Sequence, residues 1–224
     1  MDFSREVRER FPGIRVVEGD IEAVTVSGDS PGLEALKAEV ARIIKSRYTL
    51  ENVKDDPGFR AYRDFFWSVG IDPTKTRPAS EALVRRLLSG GKLPKINAAV
   101  DAYNLASALS GVPIAAFDIA RLDGGLTMRF AKDGEVFRGI GMREPLALKP
   151  NQVILTDLKK IVAIYPYRDS EGTKTTVDTK NIHIVSCGVP GIEKSKIMEA
   201  YEVCTRYLKE YAGGAPSPPH VSPD

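Results

Sequence analysis

Cysteine and histidine each occur only twice in the 224 residues, and tryptophan once. Two cysteines, Cys187 and Cys204, cannot build a disulfide framework. With only two histidines beside them, the chain also has no zinc ligand set, and no metal or other cofactor is expected. No apolar run approaches a membrane span, and the opening MDFSREVRERF has no apolar core of the signal-peptide kind. The expectation is a cytoplasmic protein with reduced, buried thiols. Charge of one sign is also lacking: 32 basic residues stand against 30 acidic ones, a net charge of +2. That balance permits an RNA partner without arguing for one, because a dedicated backbone binder shows a clearer basic excess. There is no repeat at a solenoid period, and no Walker A, GxGxxG, GxSxG or HExxH motif.

What is present is the make-up of a globular domain, 42% hydrophobic and 28% charged. Ile14–Val17 and Ile21–Val26 flank Glu18-Gly19-Asp20, which reads as a hairpin. Ser30-Pro31 opens a helix with Leu33, Leu36, Val40, Ile43 and Ile44 on its stripe. Asp56-Pro57 opens a second, carrying Phe59, Tyr62, Phe66 and Val69. A Pro-rich connector, GIDPTKTRPAS, leads to a short helix over Glu81–Leu88. Later come strands at Leu126–Phe130, Val136–Phe137 and Asn181–Cys187, and a hairpin of Val153–Asp157 with Ile161–Tyr167. A long helix then turns Ile197, Tyr201, Cys204, Leu208 and Tyr211 inward. Helices and strands do not alternate regularly, so an α+β domain is expected, with helices packed on layered mixed or antiparallel sheets. It should span residues 1–212: an N-terminal hairpin and helices over 1–77, then a motif-bearing core over 78–212. The Pro/Ser-rich stretch 213–224 reads as a disordered tail.

The stretch Leu93–Asp118 organises the rest. Ile96, Val100, Tyr103 and Leu109 fall near helical spacing, and Ser110-Gly111 stops the helix. On another face Asn97, Asp101 and Asn104 stand at i, i+4 and i+7 among Ala, Val and Leu. Polar groups in such surroundings need partners. They either cap and brace the helix or orient a neighbouring loop that binds something.

The loop Tyr165–Thr176 is the other feature of note. It follows a strand and gathers a cation, a carboxylate and several hydroxyls around Gly172. Loops on a rigid scaffold commonly carry sites. Arg168, Asp169, Ser170, Thr173 and Lys174 are its candidates, with a solvated loop and a local Arg–Asp pair as the plain alternative. His183 alternates with Ile182 and Ile184 and decides nothing alone.

PKINAAVDAYNLAS, GVPIAAFD and TVDTKNIHIV together resemble the B3/B4 domain of the phenylalanyl-tRNA synthetase beta subunit. Asn97, Val100, Asp101, Asn104, Pro113, Ala116, Phe117, Asp118, Asp178 and Thr179 match its pattern in order, over roughly residues 76–210. The resemblance implies the family's α+β fold and transfer RNA, at its aminoacylated 3′ end, as partner, with neither DNA nor membrane. It implies editing by ester hydrolysis, here in trans, in a monomer or weak homo-oligomer. The family's histidine falls at Ala115, its tyrosine-reading glutamate at Val185, and its arginine at Pro94, beside Lys95. Arg168-Asp169-Ser170 stands where the family has methionine and glycines. The implied substrate is therefore an ester of an amino acid other than tyrosine. Asp169, Arg168 and Lys174 are the expected catalytic groups. Asn97, Asn104, Ala115, Asp118, Ser170, Thr173, Thr179 and Val185 are the expected binding groups. The alternative is a module that keeps the fold to bind RNA or a small molecule, or to sense one within an assembly, without hydrolysis.

Overall fold

A computed structural model describes residues 1–223. Its elements in chain order are β1 (Asp2–Phe3), α1 (Arg5–Arg10), β2 (Val16–Glu22), α2 (Leu33–Arg47), α3 (Pro57–Ser68), α4 (Ala79–Leu88), α5 (Ala98–Ser110) and β3 (Ile114–Asp118). There follow β4 (Thr127–Phe130), β5 (Val136–Phe137), β6 (Leu146–Ala147), β7 (Val153–Thr156), β8 (Ile161–Ile164), β9 (Arg168–Asp169), β10 (Ile182–Cys187), α6 (Lys194–Ala212), β11 (Ala215–Pro216) and β12 (His220–Ser222).

The strands sort into two larger sheets and a ribbon. One sheet runs β1-β4-β7-β8-β9; the other runs β11-β2-β10-β3, with β12 also on β2; β5 and β6 pair alone. Only the β1–β4 ladder is parallel among those described. This is the α+β architecture expected, with helices against mixed and antiparallel sheets. α5 lies along α6, and α2 and α4 also pack against it. Alanines at 98, 99, 102, 106 and 108 let those neighbours come close, and all five are buried. The α6 stripe of Ile197, Tyr201, Cys204 and Leu208 is buried as the spacing predicts. Both cysteines are free and buried.

Local signals explain most helix starts. Asp56 caps α3 through the Gly58 and Phe59 N–H groups, with Pro57 in the first turn. Asn97 caps α5 by accepting from Val100 N–H at 2.9 Å. Glu81, wholly buried in α4, is held by Arg63 at 3.0 Å and Arg85 at 2.7 Å, which ties α4 to α3.

Four expectations are overturned. Residues 14–26 hold one strand, β2, running straight through Glu18-Gly19-Asp20 rather than turning there. Gly19 serves close approach: a side chain on it would run into the Tyr201 hydroxyl of α6. α2 begins at Leu33 with Gly32 in the cap position, not at Ser30-Pro31. Ile96 precedes the α5 cap and is 56% exposed, so it is not part of the core. Finally, the supposed tail is ordered: β11 and β12 pair antiparallel with β2. Proline and serine suggest a loop, yet prolines are tolerated on an edge strand, and the exposed edge of β2 offers unpaired backbone groups. Ser217 Oγ accepts from Asp20 N–H at 2.9 Å, and Ser222 Oγ donates to Glu18 at 2.7 Å. Asp224, the end of that stretch, lies outside the described residues.

His183 helps hold this edge. Its Nδ1 lies 2.6 Å from Asp20 and its Nε2 3.1 Å from Glu18, so carboxylates meet both ring nitrogens. Burial opposes the imidazolium, but hydrogen bonds to Asp20 and Glu18 outweigh it and raise its pKa to about 9. Burial likewise opposes ionised Glu18, yet bonds from His183, the Met1 amino group and Ser222 pull its pKa down to about 2. A histidine pKa raised in the folded state stabilises fully below the ordinary value of 6.5 and loses that contribution as pH rises through about 9. Thermal unfolding should therefore show stability falling between pH 7 and 9. His183→Gln should remove that slope and lower stability at pH 6.5 by roughly 2 kcal/mol. An unchanged slope in the variant would assign the effect to other groups.

Candidate functional site

The two larger sheets approach each other where β9 runs beside β3. β8 turns through Tyr165-Pro166-Tyr167, closed by Tyr167 N–H to the Ile164 carbonyl at 2.7 Å, and returns as β9. Between this turn, β3 and α5 lies a cavity of about 250 Å³. Tyr103 and Asn104 reach it from α5, Ile114 and Ala115 from β3, Tyr165 to Asp169 from the turn, and Cys187 from the end of β10.

Successive strand residues point to opposite faces, and this separates Arg168 from Asp169. Arg168 lies over the Tyr167 ring, 5.0 Å from its centroid, and donates to the Ile140 carbonyl at 2.8 Å. The Asp169 carboxylate accepts one hydrogen bond among the described residues, a long one of 3.4 Å from Ala116 N–H, and pairs with no cation there. The local Arg–Asp pair that the loop suggested does not form. Burial pushes the Asp169 pKa up to about 7, with only the Ala116 N–H pulling the other way. Burial also raises the Tyr103 hydroxyl and the Cys187 thiol, and the Asp169 charge adds to both. The side-chain amide of Asn104 has no protein partner among the described residues and stands at the same wall. The site thus offers a carboxylate that titrates near neutrality and a free amide, inside largely apolar walls.

Of the expected site residues, the fold gathers Asn104, Ala115, Arg168 and Asp169 at this cavity. The others stand apart from its lining. Asn97 is spent as the α5 cap. Asp118 accepts from Thr179 Oγ1 at 2.8 Å, and Thr179 Oγ1 accepts from Thr176 N–H at 2.9 Å, so this pair anchors the far end of the 165–176 loop. Ser170 caps the turn at Glu171–Thr173 through Gly172 N–H. Thr173 is buried, and its hydroxyl finds no partner among the described residues. Lys174 pairs with Glu171 instead of facing the cavity. Val185 lies opposite Ala115 in the β10–β3 register and is buried, but it does not line the cavity. Tyr103 and Cys187 were not among the expected site residues. Tyr103 read as a core position, and nothing local in the sequence links either residue to the loop.

The B3/4 domain family model matches residues 61–213. A phenylalanine–tRNA ligase beta subunit from Nitrobacter winogradskyi is 26% identical over 234 aligned positions, covering 94% of this chain and 28% of that subunit. The same subunit from Nocardia farcinica is 35% identical over 113 positions, covering 50% of this chain and 13% of its own length. The chain therefore spans between 13% and 28% of the length of these two relatives. A crystal structure of an N-terminal fragment of the phenylalanyl-tRNA synthetase beta subunit from Pyrococcus horikoshii aligns with a TM-score of 0.52 at 16% identity. That alignment covers 99% of this chain and 53% of the fragment, and it shows a shared fold.

An aspartate pKa raised from 3.8 to about 7 means that the folded state binds the proton more tightly than the unfolded one. Stability then falls as pH rises through that interval, and above 7 the ionised carboxylate is a net cost. Asp169→Asn should raise unfolding stability at pH 8 by on the order of 2 kcal/mol and give little gain at pH 4. Urea unfolding at the two pH values checks this. A loss at both would show that the carboxylate is a structural partner.

Proposed function

Because the chain belongs to the B3/4 domain family, we propose that it hydrolyses, in trans, the ester of a mischarged aminoacyl-tRNA. The observation that carries this reading is Asp169, a carboxylate without a cationic partner among the described residues, in the wall of a cavity that the amide of Asn104 also lines. In the proposed reaction Asp169 orients a water and takes its proton as the oxygen attacks the ester carbonyl carbon. The Asn104 N–H and backbone N–H groups stabilise the oxyanion. The ester C–O bond then breaks, and the proton passes from Asp169 to the departing ribose oxygen. Arg168, fixed on Tyr167 and Ile140, holds β9 so that Asp169 faces inward. Asp118 and Thr179 brace the loop. Neither Ala115 in the wall nor Val185 beside it in the sheet offers a group to read a tyrosine hydroxyl, which supports a substrate carrying a different side chain. The reading includes a cytoplasmic location and no cofactor.

One observation favours the non-catalytic alternative. The Lys174 ammonium and the Arg168 guanidinium are both engaged by protein groups, which leaves few donors for an oxyanion. On that reading the cavity only binds the aminoacyl end or a small molecule.

Incubation with a panel of mischarged tRNAs, following release of free amino acid, separates the two. Hydrolysis should rise with pH through about 7 and then level off, because the base must be ionised. Asp169→Asn should slow it about 100-fold or more while leaving tRNA affinity nearly unchanged. Esters that decay no faster than in buffer would reject hydrolysis in favour of binding.

A further inference from the structure

Asp101 is the member of the α5 polar stripe that neither caps the helix nor enters the cavity. Its carboxylate accepts from Ile96 N–H at 3.0 Å and pairs with Lys37 of α2 at 2.7 Å. Lys37 in turn forms one wall of a second opening, a groove of about 590 Å³ between α2 and the chain linking α4 to α5. Four lysines line it, Lys37, Lys45, Lys92 and Lys95, against a single carboxylate, Glu34. Lys37 and Lys95 are fixed by Asp101 and Asp29, whereas Lys45 and Lys92 make no ion pair among the described residues. Burial works against the Lys37 charge, but its bonds to Asp101 and Glu34 outweigh that and raise its pKa. Gly90, at φ 81°, has nothing within 4 Å of where a side chain would stand, so a ligand can approach the backbone there.

The groove and the cavity share two elements. Asp101 and Asn104 are three positions apart on α5, so the residue that fixes Lys37 is one helical turn from the residue in the cavity wall. Ala79, at the start of α4, borders the cavity, and Leu87, near its end, borders the groove. At 1.5 Å per residue the two lie about 12 Å apart along the helix. At the 3.4 Å that a stacked strand rises per nucleotide, this is roughly three or four nucleotides.

We propose that this groove carries the phosphodiester backbone of a short single strand of RNA whose aminoacylated end occupies the cavity. The inference rests on the reading given under Proposed function. Lysine ammonium groups suit it as point charges for phosphates met in varied geometry. The pairs Lys37–Asp101 and Arg63–Glu81, each with a buried carboxylate, tie α2 to α5 and α4 to α3, so the α2 wall and the helix that leads into the opposite wall form a rigid frame for the charge.

The test is a transfer-RNA titration of the full chain between 50 and 200 mM salt. Lys45→Glu with Lys92→Glu should lower affinity at least tenfold at 100 mM salt. It should also flatten the log–log salt slope by about 1.4, the share of two single-strand phosphate contacts. Lys45→Arg with Lys92→Arg should keep the affinity. Lys54→Glu with Lys209→Glu, which makes the same change in net charge on exposed positions elsewhere, should keep it too. Equal affinity of wild type and the Lys45/Lys92 double variant would overturn the groove while leaving the deacylase reading standing. So would equal losses in the two glutamate pairs. Polyglutamate captured by the wild type in place of tRNA would assign the groove to an acidic peptide and overturn the proposal. Salt-dependent tRNA binding lost only in the Lys45/Lys92 variant, with no hydrolysis by the wild type, would uphold the groove and reject catalysis. No tRNA binding at low salt would reject both.

Discussion

The burial of α5 is the constraint on which the other features depend. Ten of its thirteen residues are buried, between α6, α2, α4 and β3. On a helix in that position, a polar group left unanswered carries the full cost of desolvation. Each member of its polar stripe therefore has a defined task. Asn97 closes the first turn, Asp101 draws in Lys37, and Asn104 opens onto the cavity. The fixed position of the helix carries through to what surrounds it, since both the cavity wall and the groove wall are set from the same element.

Among the carboxylates drawn into the fold, Asp169 is the one left without a counter-charge by the described residues. Glu18 is answered by His183, the Met1 amino group and Ser222, Glu81 by two arginines, and Asp118 by Thr179. Asp169 has one long bond and no counter-charge among the described residues. A folded chain has only a few kcal/mol to spare, so an unpaired carboxylate in a cavity is easiest to understand where function requires it. The same environment that makes the group costly brings its proton affinity to the range a general base needs at neutral pH. The contrast with Glu18 lies in the partners around each carboxylate, Glu18 being buried and well answered and Asp169 half-buried at the cavity wall with one long bond.

Features that short-range chemistry decides were legible in the sequence. Asp56-Pro57 marked the start of α3, Asn97 and Gly111 bracketed α5, and the spacing of Ile197, Tyr201, Cys204 and Leu208 described α6. The α+β class followed from the irregular order of elements, and the spaced motif blocks pointed to the B3/4 family. Features that depend on a distant neighbour were not. Glu18-Gly19-Asp20 resembles a turn until Tyr201 is seen to need the space beside Gly19. The Pro/Ser-rich end resembles a free tail until the edge of β2 is there to receive it. At the cavity, Asn104, Ala115 and Asp169 were found because they sit in motif blocks or a suspicious loop. Tyr103 and Cys187 arrive there only through the packing of α5 and β10. The separation of Arg168 from Asp169 follows from strand alternation, which has no meaning until β9 is known to be a strand.

The proposed chemistry needs Asp169 to be a carboxylate that no counter-charge among the described residues answers, and this is open to direct measurement. Carbon-13 NMR of the labelled Asp169 side-chain carboxyl, followed from pH 3 to pH 9 and assigned by its absence in Asp169→Asn, reads the protonation of that group alone. The account predicts a single titration centred near pH 7. A midpoint at or below the ordinary 3.8 would mean that a cation or a set of donors already holds the carboxylate, and would contradict it.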